Sequence, residues 1–204
     1  MKRILDNKGM TLQELMVVLA LMGIIAALAI PNFYAMKPKM NLNSATSELS
    51  GDIQWARTKA VADNSLYVVA IDIGNNTYTV YKDINNTFDT THTATVVKTV
   101  DLAKIYVGVV FGQNVSTAPS GLPFTAGDKA VFADYNGASS SSGNIRWLTF
   151  RPDGTPVYSG VVYLIVASDI AINRKDRLRA ITVESMTGMV RTWQYDTKNN
   201  VWGS

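Results

Sequence analysis

The sequence predicts an α+β protein in which a long N-terminal helix packs on an antiparallel β-sandwich. Three observations predict this class. The residues from Leu15 to Ile30 are apolar throughout, and no charge occurs between Glu14 and Lys37. Further along, apolar residues recur at helical spacings of three and four, and from Leu66 onward they alternate with a period of two.

The first half of the predicted helix is long and apolar enough to cross a membrane. At ~1.5 Å per residue, the uncharged residues 15–36 extend ~33 Å, compared with a hydrocarbon core of ~30 Å. Residues 1–9 are net positive and are therefore expected to stay in the cytoplasm. Glu14 lies at the leading edge of the apolar run, where a carboxylate without a partner is costly. This makes Glu14 a candidate functional residue; the alternative is a plain single-pass anchor whose Glu14 snorkels to the interface.

The region around Gly9 resembles the class III signal of type IV prepilins and type II secretion pseudopilins. A basic leader, Gly9, Thr-Leu, Glu14 and an apolar run closed by Ala-Ile-Pro carry the resemblance, with Met10 where phenylalanine is commoner. The resemblance implies that a prepilin peptidase cuts after Gly9 and methylates the new N-terminus at Met10. It also implies that Glu14 pairs with that amine, usually on a neighbouring subunit, and so fixes the register of helices in a filament. A pair within one subunit is the alternative.

The second half of the helix is amphipathic. Its predicted buried face consists of Leu42, Ala45, Leu49, Ile53, Ala56 and Ala60. Pro31 and Pro38 are expected to bend or locally melt the helix, because each lacks a backbone donor and crowds the preceding turn.

The rest of the sequence is predicted to be antiparallel β structure, in two packed sheets. Short alternating segments separated by turn signals indicate this arrangement, and a Gly-Asn-Asn turn at 74–76 indicates a hairpin. Residues 134–143 and 83–95 are predicted loops. The predicted strands cover residues 66–73, 77–82, 95–102, 104–111, 129–133, 145–151, 160–167, 179–184 and 189–194.

Four further segments resemble the GspH/FimT group of pseudopilins and minor pilins. They are WARTKAV at 55–61, FRPDG at 150–154, YSGVVYLIV at 158–166 and RAITVESMTGMVRTW at 179–193. The resemblance implies a pilin-like fold with a leader peptide (1–9), a transmembrane and assembly half-helix (10–36), an amphipathic half-helix (37–62) and a periplasmic β domain (63–204). It implies a minor pilin or pseudopilin: a structural subunit of a type II secretion pseudopilus or a type IV pilus. Its partners would be the prepilin peptidase, the inner membrane, which it spans once, and other pilins.

Composition argues against an enzyme. The protein of 204 residues has no cysteine, and its only histidine, His92, lies between threonines in a polar segment. No metal-binding, nucleotide-binding or nucleophile motif occurs, so the sequence predicts no cofactor and no catalytic residue. A membrane-anchored periplasmic enzyme is accordingly the less favoured alternative.

The region from Asn41 onward is neutral, with 14 Lys and Arg residues against 14 Asp and Glu residues. Within it, Arg174, Lys175, Arg177 and Arg179 form a local basic cluster that would suit DNA, a partner subunit or a solvated loop. The DNA-linked members of the group carry a Gly-Arg-x-Arg motif. This protein has Gly-Met-Val-Arg ending at Arg191, and the loss of the first arginine makes a DNA-binding minor pilin the second choice.

Overall fold

The structure is a computed structural model that describes residues 10–83, 94–115, 117–119, 130–133 and 141–203. The protein divides between Lys37 and Pro38 into two compact units. The predicted α+β class is confirmed, because a long N-terminal helix packs on antiparallel sheets. Gly9 and His92 lie outside the described residues.

The long helix α1 runs from Leu12 to Asp63. All six apolar residues predicted for its buried face are fully buried, and Thr46 and Ser50 lie among them. Thr46 satisfies its buried hydroxyl by donating to the Leu42 carbonyl at 2.7 Å. The spacing of three and four therefore identified the packed face correctly.

Both prolines lie inside α1. The helix is continuous through Pro31 and Pro38, so neither proline melts it locally, and the alternative expectation of a bend stays a prediction. Each proline removes only one backbone donor, and the remaining hydrogen bonds of the neighbouring turns maintain the helix.

The first sheet has five strands in the order β3-β2-β1-β7-β6, and every neighbouring pair is antiparallel. The strands are β1 (Leu66–Asp72), β2 (Thr77–Asp83), β3 (Thr95–Asp101), β6 (Ser141–Ser142) and β7 (Ile145–Phe150). The predicted hairpin joins β1 and β2, and Asp72 accepts hydrogen bonds from the backbone amides of Gly74 and Asn75 in its turn.

The second sheet has the order β11-β10-β9-β8-β4, with β5 also paired to β8, and all of these pairs are antiparallel. Its strands are β4 (Val109–Phe111), β5 (Ala130–Ala133), β8 (Ser159–Val166), β9 (Leu178–Val183), β10 (Val190–Asp196) and β11 (Val201–Gly203). The buried face of α1 shares one hydrophobic core with side chains of both sheets. Strand β9 shows the contribution of the second sheet, because Ile181 and Val183 belong to this core.

The prediction of a strand over 104–111 is wrong in its first half. Residues Leu102–Ile105 form a short helix, α2, and only Val109–Phe111 is a strand. The helix starts there because the carboxylate of Asp101 caps it, accepting a hydrogen bond from the Lys104 amide at 3.2 Å. A second short helix, α3 (Ala167–Ala171), and the strands β6 and β11 were not predicted. Most of the predicted loops, residues 134–140 and 84–93, lies outside the described residues.

A polar cluster joins α1 to strands β2 and β3 of the first sheet and to Tyr106, the residue that follows α2. Lys98 donates to Glu48 at 3.0 Å and to Asp52 at 2.6 Å, and both carboxylates belong to α1. The Tyr78 hydroxyl donates to Asp52 at 2.6 Å, and the Tyr106 hydroxyl donates to Glu48 at 2.7 Å. The pKa of Tyr106 is raised to about 12, mainly by burial of its hydroxyl and secondly by its hydrogen bond to Glu48. These contacts fix the rotation of α1 against β2, β3 and α2.

A matching contact lies near the end of α1. The Tyr67 hydroxyl donates to Asp63 at 2.7 Å, and Lys82 donates to the same carboxylate at 2.6 Å. The pKa of Tyr67 is raised to about 12, mainly by burial of its hydroxyl and secondly by its hydrogen bond to Asp63.

These tyrosines predict a loss of stability at alkaline pH. Their pKa values are higher in the folded state than the ordinary 10.0, so their contribution is fully present below pH 10 and is lost as the pH rises through about 12. We expect the free energy of unfolding to fall across this window by up to about 1.4 kcal/mol per pH unit for each tyrosine. Urea unfolding of residues 38–204 at several pH values measures the slope. Tyr106→Phe should make the slope shallower, and an unchanged slope in that variant would contradict the assignment.

Candidate functional site

The N-terminal end of α1 is closed by a reciprocal contact between Thr11 and Glu14. The Glu14 amide donates to Thr11 Oγ1 at 3.3 Å, while Glu14 Oε2 accepts from the Thr11 amide at 2.9 Å and from its hydroxyl at 3.0 Å. This arrangement is a capping box, which satisfies backbone donors that a helix terminus leaves unpaired. Glu14 and the neighbouring Met10 are both exposed. In this form of the protein, the Glu14 carboxylate is therefore bound by its own helix end.

From Leu15 to Ile30, the first half of α1 is apolar on every side. Among the residues that the structure describes, α1 is the one helix long and apolar enough to cross a membrane, judged by length and composition. A helix that is apolar all round is stable only inside a protein or in lipid. The large apolar side chains exposed here include Leu15, Val17, Leu19, Leu21, Ile24, Ile25, Leu28 and Ile30.

The basic cluster is largely neutralised by its own neighbours. Arg174 donates to both oxygens of Asp176, at 2.6 and 3.0 Å, and this contact raises the pKa of Arg174 and lowers that of Asp176. Arg177 forms a two-point ion pair with Asp169 of α3, with one hydrogen bond of 2.8 Å from Nε to Oδ2. The Asp169 side chain is fully buried, so this pair fastens α3 to the start of β9. Lys175 is half-buried and forms no ion pair within the described part of the protein.

Arg179 differs from the other members of the cluster because it is buried. It is 7% exposed, and its guanidinium donates to two neutral oxygens, Leu178 O and Asn43 Oδ1, both at 3.0 Å. Arg179 therefore lies on β9 against α1, whereas Arg174 is exposed on the loop that precedes β9. The structure separates the four predicted basic residues into two ion-paired arginines, the half-buried Lys175 and the buried Arg179.

Arg191, the remaining predicted contact residue, is exposed on β10. Its Nε lies 3.1 Å from Met189 Sδ. The preceding Gly188 is involved in a different contact, which the sequence prediction missed.

Three of the segments quoted for the GspH/FimT resemblance meet at Arg57. Arg57 Nε donates to the Gly154 carbonyl at 3.0 Å, and Gly188 packs against both groups. Gly188 has a φ of +64°, and a Cβ at this position would lie 2.7 Å from Gly154 O and 2.9 Å from Arg57 Nε. Two turns that are far apart in sequence are thus held on one side chain of α1. The residues around Arg57 help to support the fold.

The sequence could also have revealed the capping box. Thr11-Leu12-Gln13-Glu14 fits the pattern of a Ser or Thr followed three residues later by Glu, which marks a helix start before an apolar run. In contrast, no local pattern indicates the Arg57 contact, since its partners are 97 or more residues away.

Comparison with known proteins identifies one matching motif. Residues 5–30 match the family profile described as the prokaryotic N-terminal methylation motif. This match covers Met10 and Glu14 together with the apolar part of α1. No curated protein sequence matches this one.

Two solved structures are similar to the fold, both of the type IV minor pilin FimU of Pseudomonas aeruginosa strain PAO1. One crystal form is 14% identical with a TM-score of 0.44, covering 74% of this chain and 86% of that chain. The other is 15% identical with a TM-score of 0.39, covering 74% of this chain and 90% of that chain.

The Arg57 contact predicts unequal effects for two glycine substitutions. Gly143 also has a positive φ, +56°, but a Cβ there would meet nothing within 4 Å. Gly143→Ala should lower the free energy of unfolding by about 1–2 kcal/mol, the cost of a left-handed conformation. Gly188→Ala should cost about 3 kcal/mol or more, because its Cβ also meets a backbone carbonyl. Thermal unfolding followed by circular dichroism measures both, and equal losses would contradict the contact.

The pairing of the basic cluster predicts weak binding to duplex DNA. With Arg174 and Arg177 paired and Arg179 buried, Lys175 and the exposed Arg191 can contact about two phosphates, which gives a salt slope no steeper than about −2. Gel shifts across a salt series measure this slope. Low-micromolar or tighter binding at physiological salt that is lost on combining Arg174→Ala with Lys175→Ala would contradict the prediction.

Proposed function

We propose that this protein is a minor pilin or pseudopilin, a non-enzymatic subunit of a type IV pilus or a type II secretion pseudopilus. It is anchored once in the inner membrane, with its β domain in the periplasm. A prepilin peptidase cuts between Gly9 and Met10 and methylates Met10, and the processed protein then joins other pilins through the first half of α1. The observation that carries this proposal is the methylation motif over residues 5–30, which coincides with an exposed, wholly apolar helix.

The apolar half-helix supports assembly as well as anchoring. Lipid satisfies its side chains before assembly, and apolar helices of neighbouring subunits provide an equivalent environment afterwards. A plain anchor would need the same apolar length but no carboxylate. Glu14 therefore distinguishes an assembling helix from a simple anchor.

Cleavage after Gly9 would change the surroundings of Glu14. The new amine of Met10 lies one residue before Thr11, which caps the helix, and it places a positive charge at the positive end of the helix dipole. Glu14 is the nearest opposite charge, since no other charged residue occurs from Met10 to Met36. A Glu14 carboxylate that binds an amine of a neighbouring subunit would offset the desolvation of both groups and set the axial register.

The first prediction from this proposal concerns processing. Membrane-purified protein from a host with a prepilin peptidase should have lost residues 1–9 and carry one methyl group on Met10. Intact-mass measurement detects both changes. The matched control is the same protein from a host without the peptidase, which should keep its full mass. Full-length protein in the peptidase-positive host would contradict the proposal.

The second prediction separates the charge of Glu14 from its capping role. Glu14→Gln retains an oxygen that can accept the Thr11 hydrogen bonds but carries no charge, whereas Glu14→Val removes both. If an ion pair sets the register, both variants should insert into the membrane and both should lose crosslinking to neighbouring pilins. If capping alone matters, Glu14→Gln should crosslink normally. Membrane fractionation followed by crosslinking measures both steps, and normal crosslinking of Glu14→Gln would rule out the charge-pair role.

A further inference from the structure

Arg179 is a buried cation that forms no ion pair with a carboxylate in the described part of the protein. Its two hydrogen bonds go to neutral oxygens, Leu178 O and Asn43 Oδ1. Asp176 is the carboxylate that acts on it electrostatically, but Asp176 is already bound at both oxygens by Arg174. Burial lowers the pKa of Arg179, although an arginine remains charged at any physiological pH. The fold therefore keeps an uncompensated positive charge at a position where it is costly.

Arg179 lines an open cleft between α1 and the second sheet, with a volume of about 270 Å³. Strand register places Arg179 opposite Gln194, and Gln194 opposite Gly203, so these three residues form one row across β9, β10 and β11. Because Gly203 has no side chain, the row is open at the β11 end. The other lining residues are Asn43, Thr46 and Ser47 on α1 and Thr192 and Trp193 on β10.

The chemistry of this lining favours an anion. It holds one guanidinium, the amides of Asn43 and Gln194, three hydroxyls and no carboxylate. The Thr46 hydroxyl is occupied by the Leu42 carbonyl, whereas the Asn43 and Gln194 amides can donate. A single cation balances a singly charged group. A phosphate dianion would retain one uncompensated charge in the cleft.

We propose that this cleft binds a carboxylate of another polypeptide, with Arg179 as the countercharge and the Asn43 and Gln194 amides as neutral donors. The planar guanidinium matches a carboxylate in shape as well as in charge. The carboxylate comes either from an acidic residue or from the C-terminus of a polypeptide. Its assignment to a neighbouring subunit of the filament rests on the proposed function, whereas the carboxylate site itself does not.

The test uses the full-length protein labelled with ¹⁵N-tryptophan, in dodecyl maltoside micelles. Trp193 lines the cleft and Trp202 precedes Gly203, which also lines it, so the backbone amides of both tryptophans report on binding. Trp55 and Trp147 do not line the cleft and serve as internal controls.

The probes are acetate, N-acetylglycine for a C-terminal carboxylate, and N-acetylglutamic acid α-amide for the carboxylate of an acidic residue. N-acetylglycinamide is the matched neutral probe, and inorganic phosphate is the competing anion.

We expect saturable shifts of the Trp193 and Trp202 amides with the carboxylates and none with N-acetylglycinamide. The tighter of the two amino-acid probes identifies the source of the carboxylate. Arg179→Gln should weaken binding roughly tenfold or more. Lys175→Gln removes a cation outside the cleft and should leave the affinity unchanged. Equal shifts with the neutral probe, tighter binding of phosphate, or unchanged affinity in Arg179→Gln would each overturn the proposal.

A second variant keeps the test decisive if Arg179→Gln fails to fold. A Cβ at Gly203 would meet nothing closer than 4.0 Å, so Gly203→Val should fold while its side chain fills the open end of the cleft. The affinity of this variant for carboxylates should also fall roughly tenfold or more, and an unchanged affinity would overturn the proposal.

The carboxylate site and the proposed function can fail independently. Failure of these titrations would leave the proposed function intact, whereas uncut protein in a peptidase-positive host would overturn the proposed function and leave the carboxylate site unaffected.

Discussion

The buried stripe on the second half of α1 is the interaction on which the β domain depends. Leu49 and Ile53 on this stripe are fully buried, and each residue of this kind contributes about 1.5–3 kcal/mol when it is completely buried. The same core includes inward-facing residues of both sheets, so α1 covers apolar surface that each sheet would otherwise expose. The polar contacts of Lys98 and Arg57 add direction to this packing, because each is satisfied at one rotation of the helix.

Two of the four basic residues between Arg174 and Arg179 are neutralised by carboxylates close to them in sequence. Arg174 is bound by Asp176 and Arg177 by Asp169, each within a few residues in sequence. A dense run of basic residues in the sequence is therefore not a measure of the positive charge that remains unpaired in the fold. Lys175 and Arg179 form no ion pair among the described residues, and of these two Arg179 is the buried one. Its burial follows from strand pairing, which places it beside α1.

Periodicity predicted the elements of this fold well, because burial of one face repeats along the sequence at the spacing of the helix or strand. The failure at 104–111 has a local cause: the same residues alternate like a strand, but the Asp101 cap starts a helical turn. Among the site residues, Glu14 was predicted from the cost of a carboxylate in an apolar run, and its contact with Thr11 could be predicted from the capping-box pattern of residues 11–14. The Arg57 contact was not, because it depends on turns brought together by the complete fold.

The shared core also determines the order in which the protein can fold during synthesis. The stripe ends at Ala60, but the core residue Val183 lies some 120 positions later, so translation must continue for roughly 6–25 s before the stripe can be fully covered. During that interval the helix presents an unsatisfied apolar surface next to newly made strands. Long-range contacts of this kind slow folding and expose the nascent polypeptide to aggregation. The β domain therefore completes its fold only after nearly the entire sequence has been translated, even though its central helix is among the first segments to emerge.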